Sequence, residues 1–177
     1  MRVFLDANVL FTAAHNPDGK AAFIIELGVA GHFLLFTSDA ALIEAERNLA
    51  AKYPHSLPFL ESLTNHMTLV TADLSVGFPD GLPRSDAVIF QAALTCRATH
   101  FLTGDLRHFG PIINRPDATF SITIQTVAQF LSEMWRCPGG SHCPEKPNDL
   151  LVGARGIPGD FQTHYPQGRD WLRGQSR

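Results

Sequence analysis

Cysteine is scarce in this 177-residue chain, and Cys96, Cys137 and Cys143 are too few and too odd a set to build a disulfide framework. No apolar run approaches the ~18 residues needed to span a bilayer. Asp6 interrupts the N-terminal apolar stretch before a signal-peptide core can form. Positive charge is also in short supply: 14 Lys and Arg stand against 17 Asp and Glu, a formal net charge of −3. That excludes a nucleic-acid binder working by bulk charge alone, though not a local phosphate site. Neither G-x-S-x-G nor G-x-x-x-x-G-K-[ST] occurs, so Ser-His-Asp catalysis and a P-loop have no motif behind them. What is present is apolar material, 45% of residues against 18% charged. That suffices for a core and is too much for a disordered chain. The length suits one domain with an appendage. A soluble, cytoplasmic globular protein is the expectation, with no membrane partner.

Composition changes near residue 135. Residues 1–135 carry a net −5, whereas 136–177 carry +2 with five Pro and seven Gly in 42 residues. The reading is a domain over 1–135 and an irregular, poorly ordered Pro/Gly-rich tail over 136–177. That tail is expected to be dispensable for folding. Its Cys137, His142 and Cys143, with His164 further on, lack the paired spacing of a zinc site.

Within the domain, short apolar runs alternate with helical periods. Arg2–Leu5, Phe33–Phe36, Met67–Val70, His100–Thr103 and Phe120–Ile124 read as strands. Helices are predicted over 20–30, stopped by Gly31, and over about 39–51, capped by Ser38. Others are predicted near 58–66, from a Ser85 cap onward, and over 126–134. Strands without polar alternation, separated by helices, indicate a parallel sheet covered on both faces. The predicted fold is therefore α/β, three-layered, with about five parallel strands. Ligands in such folds bind at the carboxyl ends of the strands, where the strand order reverses.

Carboxylates gather at those ends. Asp6 directly follows the first strand and Asp105 closes Thr103-Gly104-Asp105 after the fourth. Asp86 opens a helix, and Glu44 lies in the helix after the second strand. Converging carboxylates repel one another in a low dielectric, and a fold keeps them when a divalent cation neutralises them. Mg2+ or Mn2+ suits oxygen ligands and phosphodiester chemistry. Taken singly, Asp86 and Asp105 also read as first-turn acids that favour a helix dipole. Asp6 is harder to dismiss, because a carboxylate ending an apolar strand needs a partner.

The segments VFLDANVLFTAA (3–14), TSDAALIEAERNL (37–49) and RSDAVIFQAALTCRATHFLTGDLRHFG (84–110) resemble the PIN-domain ribonucleases. Many of those are toxins of bacterial and archaeal toxin–antitoxin pairs of the VapBC kind. The resemblance covers about residues 1–135. It implies a PIN-like parallel sheet, a Mg2+ or Mn2+ site and endonuclease chemistry on RNA. It carries the family's acids to Asp6, Glu44, Asp86 and Asp105, and a polar position to Asn8. It also implies a homodimer or a complex with a small antitoxin protein. Periodicity alone prefers Glu46 to Glu44, since Leu42, Ala45 and Leu49 define a stripe beside Glu46. The family spacing selects Glu44.

Arg84, Arg107 and His108 flank the proposed site and read first as ordinary surface charge, secondly as phosphate contacts. Phe109 reads as a core plug. Two competing functions remain. One is a haloacid-dehalogenase-like phosphatase with Asp6 as nucleophile, whose first motif would place an Asp where Asn8 stands. The other is a non-catalytic PIN-like module that binds RNA or protein.

Overall fold

Val3, Phe4 and Leu5 are fully buried, as expected of a strand covered on both faces, and they form the middle of the sheet. The computed structural model describes residues 1–134; the tail expected at 136–177 lies outside the described residues. The strands are β1 (Arg2–Leu5), β2 (Leu34–Ser38), β3 (Thr68–Val70), β4 (His100–Leu102) and β5 (Thr123–Gln125). All pair in parallel, in the order β3-β2-β1-β4-β5. The helices are α1 (Ala7–His15), α2 (Lys20–Val29), α3 (Asp39–Lys52), α4 (Leu57–Thr64), α5 (Arg84–Thr95) and α6 (Val127–Met134). The chain steps from β1 to β2 to β3 in one direction and returns from β3 to β4 in the other; with the right-handed crossovers that parallel strands follow, α1–α4 belong to one face and α5 to the other. The architecture is the three-layer α/β/α sandwich that the sequence predicts.

Strand order reverses between β1 and β4, whose Leu5 and Leu102 pair directly. Folds of this kind bind ligands where two such strands end, and Asp6 and Asp105 follow β1 and β4 at that point. The core beneath is aromatic. Phe101 of β4 stacks on Phe4 at 5.5 Å, and Phe90 and Phe109 lie at 5.7 and 5.0 Å from it. Phe109 is thus the core plug that the sequence suggests.

Several local signals work as read. Gly31 takes φ +85 after α2, with its N–H on the Gly28 carbonyl and the His32 N–H on the Leu27 carbonyl. That paired closure ends a helix on a left-handed residue. Ser38 caps α3, its hydroxyl accepting from the Ala41 N–H at 3.1 Å. Gly28 packs so closely on β2 that a Cβ there would collide with the Leu35 side chain.

Other boundaries differ from the expectation. Helix α1 is additional to the predicted set, although Asp6 caps it and Val9, Leu10, Ala13 and Ala14 give it a buried stripe. Ser85 is not a cap: α5 begins two residues earlier than such a cap implies, at Arg84 after Pro83, and the Ser85 hydroxyl donates to Asp86 Oδ1 instead. Phe120 and Ser121 have φ of +52 and +69, which no strand accommodates, so β5 starts at Thr123. Asp105 stands in a turn rather than a helix. Among the described residues no helix is long and apolar enough to cross a membrane.

Candidate active site

Asp6 ends the apolar β1 and begins α1, so its carboxylate is pinned between strand and helix. It is only 5% exposed. Its Oδ1 accepts the Ala7 N–H at 2.8 Å. Its Oδ2 accepts from Asn8 Nδ2 at 2.6 Å and from the Thr103 hydroxyl at 2.7 Å. Burial pushes its pKa up to about 7. The bonds from Thr103 and Ala7 pull it down, and the charges of Glu44 and Asp86 push it further up. A carboxylate left this close to neutral pH, with such well-placed donors, shows how strongly the site disfavours its negative charge.

Thr103 is the hub joining β1 to β4. Its fully buried hydroxyl donates to Asp6, while the Asp105 N–H reaches its oxygen at 2.9 Å and Asn8 Nδ2 at 3.1 Å. Asn8 in turn accepts from the Gly104 N–H. The Thr-Gly-Asp run after β4 is the sequence signal of this hub. Thr103→Val keeps the shape and removes the hydroxyl. It is expected to cost about 1–3 kcal/mol through unpaired buried groups and to raise the Asp6 pKa further. Denaturant midpoints and a carboxyl-resolved NMR titration check both directions.

Asp105 is fixed by its own turn. Its Oδ1 accepts the Arg107 N–H at 2.9 Å and the His108 N–H at 3.2 Å, and its Oδ2 accepts His108 Nδ1–H at 2.7 Å. Burial raises its pKa, but these backbone donors and the nearby imidazole outweigh burial and hold it below the ordinary value. The two central acids are therefore tuned in opposite directions: Asp6 tends to take a proton, and Asp105 stays ionised.

Asp86 projects from the first turn of α5, and its Oδ2 lies 2.8 Å from His108 Nδ1. Nδ1 meets hydrogen-bond geometry toward Asp105 alone, so the buried Asp86 Oδ2 has this ion-pair contact but no hydrogen-bond donor among the described residues. A bound cation would pair with such an anionic oxygen. Asp86, Asp105 and His108 each offer a ligand atom, all within 4.8 Å of one another, and the group could hold a metal ion. The donor set fits a divalent cation.

Glu44 is half-buried in α3. Burial and the charges of Asp86 and Asp105 raise its pKa, with Arg47 opposing them. All four sequence-selected acids thus share one electrostatic field at the end of the sheet. Glu46 is exposed and lines a separate groove between α3 and α4, with Leu57, Pro58 and Glu61. The buried stripe of α3 is Ala41, Ala45 and Leu49 rather than one begun by Leu42. It leaves the two glutamates equally far from it on opposite flanks. Arg84 and Arg107 are exposed beside the site. His108, read first as surface charge, instead lies between Asp86 and Asp105. Its sequence signal is its place three residues after Asp105, within reach of one turn.

No family model matches this sequence, and no curated protein matches it closely. The fold is similar to a chain in the crystal structure of VapBC2 from Rickettsia felis bound to a DNA fragment from their promoter. The two share 12% identity, with a TM-score of 0.52, over 71% of this chain and 98% of that one. A chain of VapBC-1 from nontypeable Haemophilus influenzae matches at 18% identity and a TM-score of 0.47, over 72% and 99%. At 12% identity the Rickettsia likeness establishes the fold, the PIN-like sandwich that the sequence resemblance implies.

Proposed function

We propose that this chain is a metal-dependent endoribonuclease of the toxin type, hydrolysing RNA phosphodiesters with Asp6, Glu44, Asp86 and Asp105. The observation that carries the reading is the buried Asp86 Oδ2, without a hydrogen-bond donor among the described residues, inside a field of four acids at the sheet's switch point. Asp86 and Asp105 would hold Mg2+ or Mn2+, with Asp6 and Glu44 completing the negative ring. A bound divalent ion supplies charge neutralisation, polarisation of a phosphodiester oxygen and a more acidic water. Asp105, kept ionised by its backbone donors, supplies permanent negative charge. Of the two site acids with a raised pKa, Glu44 is the more accessible, which suits it to orient or deprotonate the attacking water. Exposed Arg84 and Arg107 would contact flanking phosphates, which a domain with net negative charge needs locally. Asp6, buried with both oxygens engaged, has no free face for a nucleophile's role, which disfavours the phosphatase reading. A soluble antitoxin-like protein and a second copy of the chain are the proposed partners, and the cytoplasm the proposed compartment. The Rickettsia felis relative is a VapBC assembly bound to promoter DNA.

The test uses the purified full chain on single-stranded RNA. Cleavage is expected to cease on exhaustive chelation and to return with Mn2+ or Mg2+. Glu44→Gln is expected to lower the rate by at least about a hundredfold, the upper end of what metal-site supporting groups cost. Glu46→Gln is expected to change it less than about threefold, as an exposed residue away from the site. Cleavage that survives chelation, or that depends on Glu46 rather than Glu44, overturns the assignment.

A further inference from the structure

We infer that His108 is a nitrogen ligand of the metal centre and biases it toward first-row transition ions over Mg2+. The inference rests on the carboxylate metal site proposed above and extends it by one donor. His108 Nδ1 lies 2.7 Å from Asp105 Oδ2 and 2.8 Å from Asp86 Oδ2. One nitrogen with one proton serves only one of these oxygens, and the geometry gives the bond to Asp105. Asp86 Oδ2 keeps no donor among the described residues. A cation taking the place of that proton pairs with both carboxylates and with the nitrogen lone pair at once.

The placement of the ring is built by the backbone. Asp105 Oδ1 holds the His108 N–H, the Phe109 N–H closes on the Asp105 carbonyl at 3.2 Å, and Phe109 is buried next to the ring's own residue. One turn thereby delivers an oxygen donor and a nitrogen donor to the same point. Oxygen-only sites suit hard Mg2+, whereas imidazole strengthens binding to transition ions, following their rising affinity for nitrogen.

The experiment is Mn2+ binding to the full chain, followed by electron spin-echo spectroscopy and by competition with Mg2+. Nitrogen modulation from a directly bound imidazole is expected in the wild type and is expected to vanish in His108→Gln. That variant should bind Mn2+ at least about tenfold more weakly, since even groups behind the ligands cost 10–100-fold. Its Mg2+ affinity should move less than about threefold. Mn2+ bound without nitrogen modulation in the wild type overturns the inference while leaving the carboxylate site standing. Equal losses for Mn2+ and Mg2+ overturn the selectivity. Failure of the wild type to bind any divalent ion overturns both this inference and the metal-site reading beneath it. The wild-type spectrum does not depend on how the variant folds.

Discussion

Replacing Asp6 with Asn is expected to remove RNA cleavage while making the metal-free protein more stable at neutral pH and above. The activity loss is expected to reach at least about a hundredfold, because a charged member of the site is lost rather than a supporting group. The stability gain follows from burial. Asp6 titrates at about 7 in the folded protein against an ordinary 3.8. The folded state therefore holds a proton that the unfolded chain releases across this interval. The contribution of Asp6 to stability is therefore greatest below about 3.8, falls as pH rises through about 7, and levels off above it. At 1.36 kcal/mol per pH unit the fall is on the order of 4 kcal/mol. The amide introduced by Asp6→Asn carries no charge and escapes it. It still caps α1, since Asn accepts from the first-turn N–H as well as Asp does. Its NH2 group does face the two donors that Oδ2 accepts from, Asn8 Nδ2 and the Thr103 hydroxyl, at a cost of about 1–3 kcal/mol that does not change with pH. The variant's stability relative to the wild type should therefore climb steadily between about pH 4 and about pH 8. Urea unfolding with chelator present, at several pH values, reads this climb. Parallel stability curves would show that the Asp6 charge is not disfavoured. Full cleavage by a folded Asp6→Asn protein would remove Asp6 from the site.

The second large effect is expected from Phe109→Ala. Phe109 is 1% exposed and packs 5.0 Å from Phe101, which itself stacks on Phe4. Truncating a buried Phe costs about 3–5 kcal/mol, a large part of the ~5–15 kcal/mol that holds a domain together. The function should suffer separately, because Phe109 anchors the turn that presents Asp105 and His108. Weakened Mn2+ binding is expected even at temperatures where the variant remains folded. Denaturant midpoints and Mn2+ titration measure the two losses. A destabilised variant with unchanged Mn2+ affinity would show that the Asp105 turn is held by its own hydrogen bonds alone.

These two residues also mark what is legible in the chain. Asp6 is readable because a charge directly after a fully apolar strand has to be explained by a partner. Phe109 is readable as an apolar residue following a polar turn. Helix α1 is hidden because its apolar residues run straight on from those of β1, with only the Asp6 cap between them. The fifth strand reads as starting too early because its true start depends on two left-handed residues, Phe120 and Ser121, and neither side chain advertises that conformation.

The class of fold, five apolar runs in parallel, and the types of residue at their ends are readable from the chain alone. Both follow from local chemistry: buried strands must be apolar throughout, and acids at their ends must be paired or capped. Which glutamate faces the site, and what His108 does, are not readable there. The α3 stripe of Ala41, Ala45 and Leu49 leaves Glu44 and Glu46 on opposite flanks. Only the packing of α5 on one side and α4 on the other turns Glu44 toward Asp86 and leaves Glu46 in the groove. His108 meets Asp86 across 22 positions of sequence only because β4 returns beside β1 and sets the Asp105 turn against the start of α5. Periodicity reports distance from the core within one helix; which neighbour lies on each flank is a property of the assembled fold.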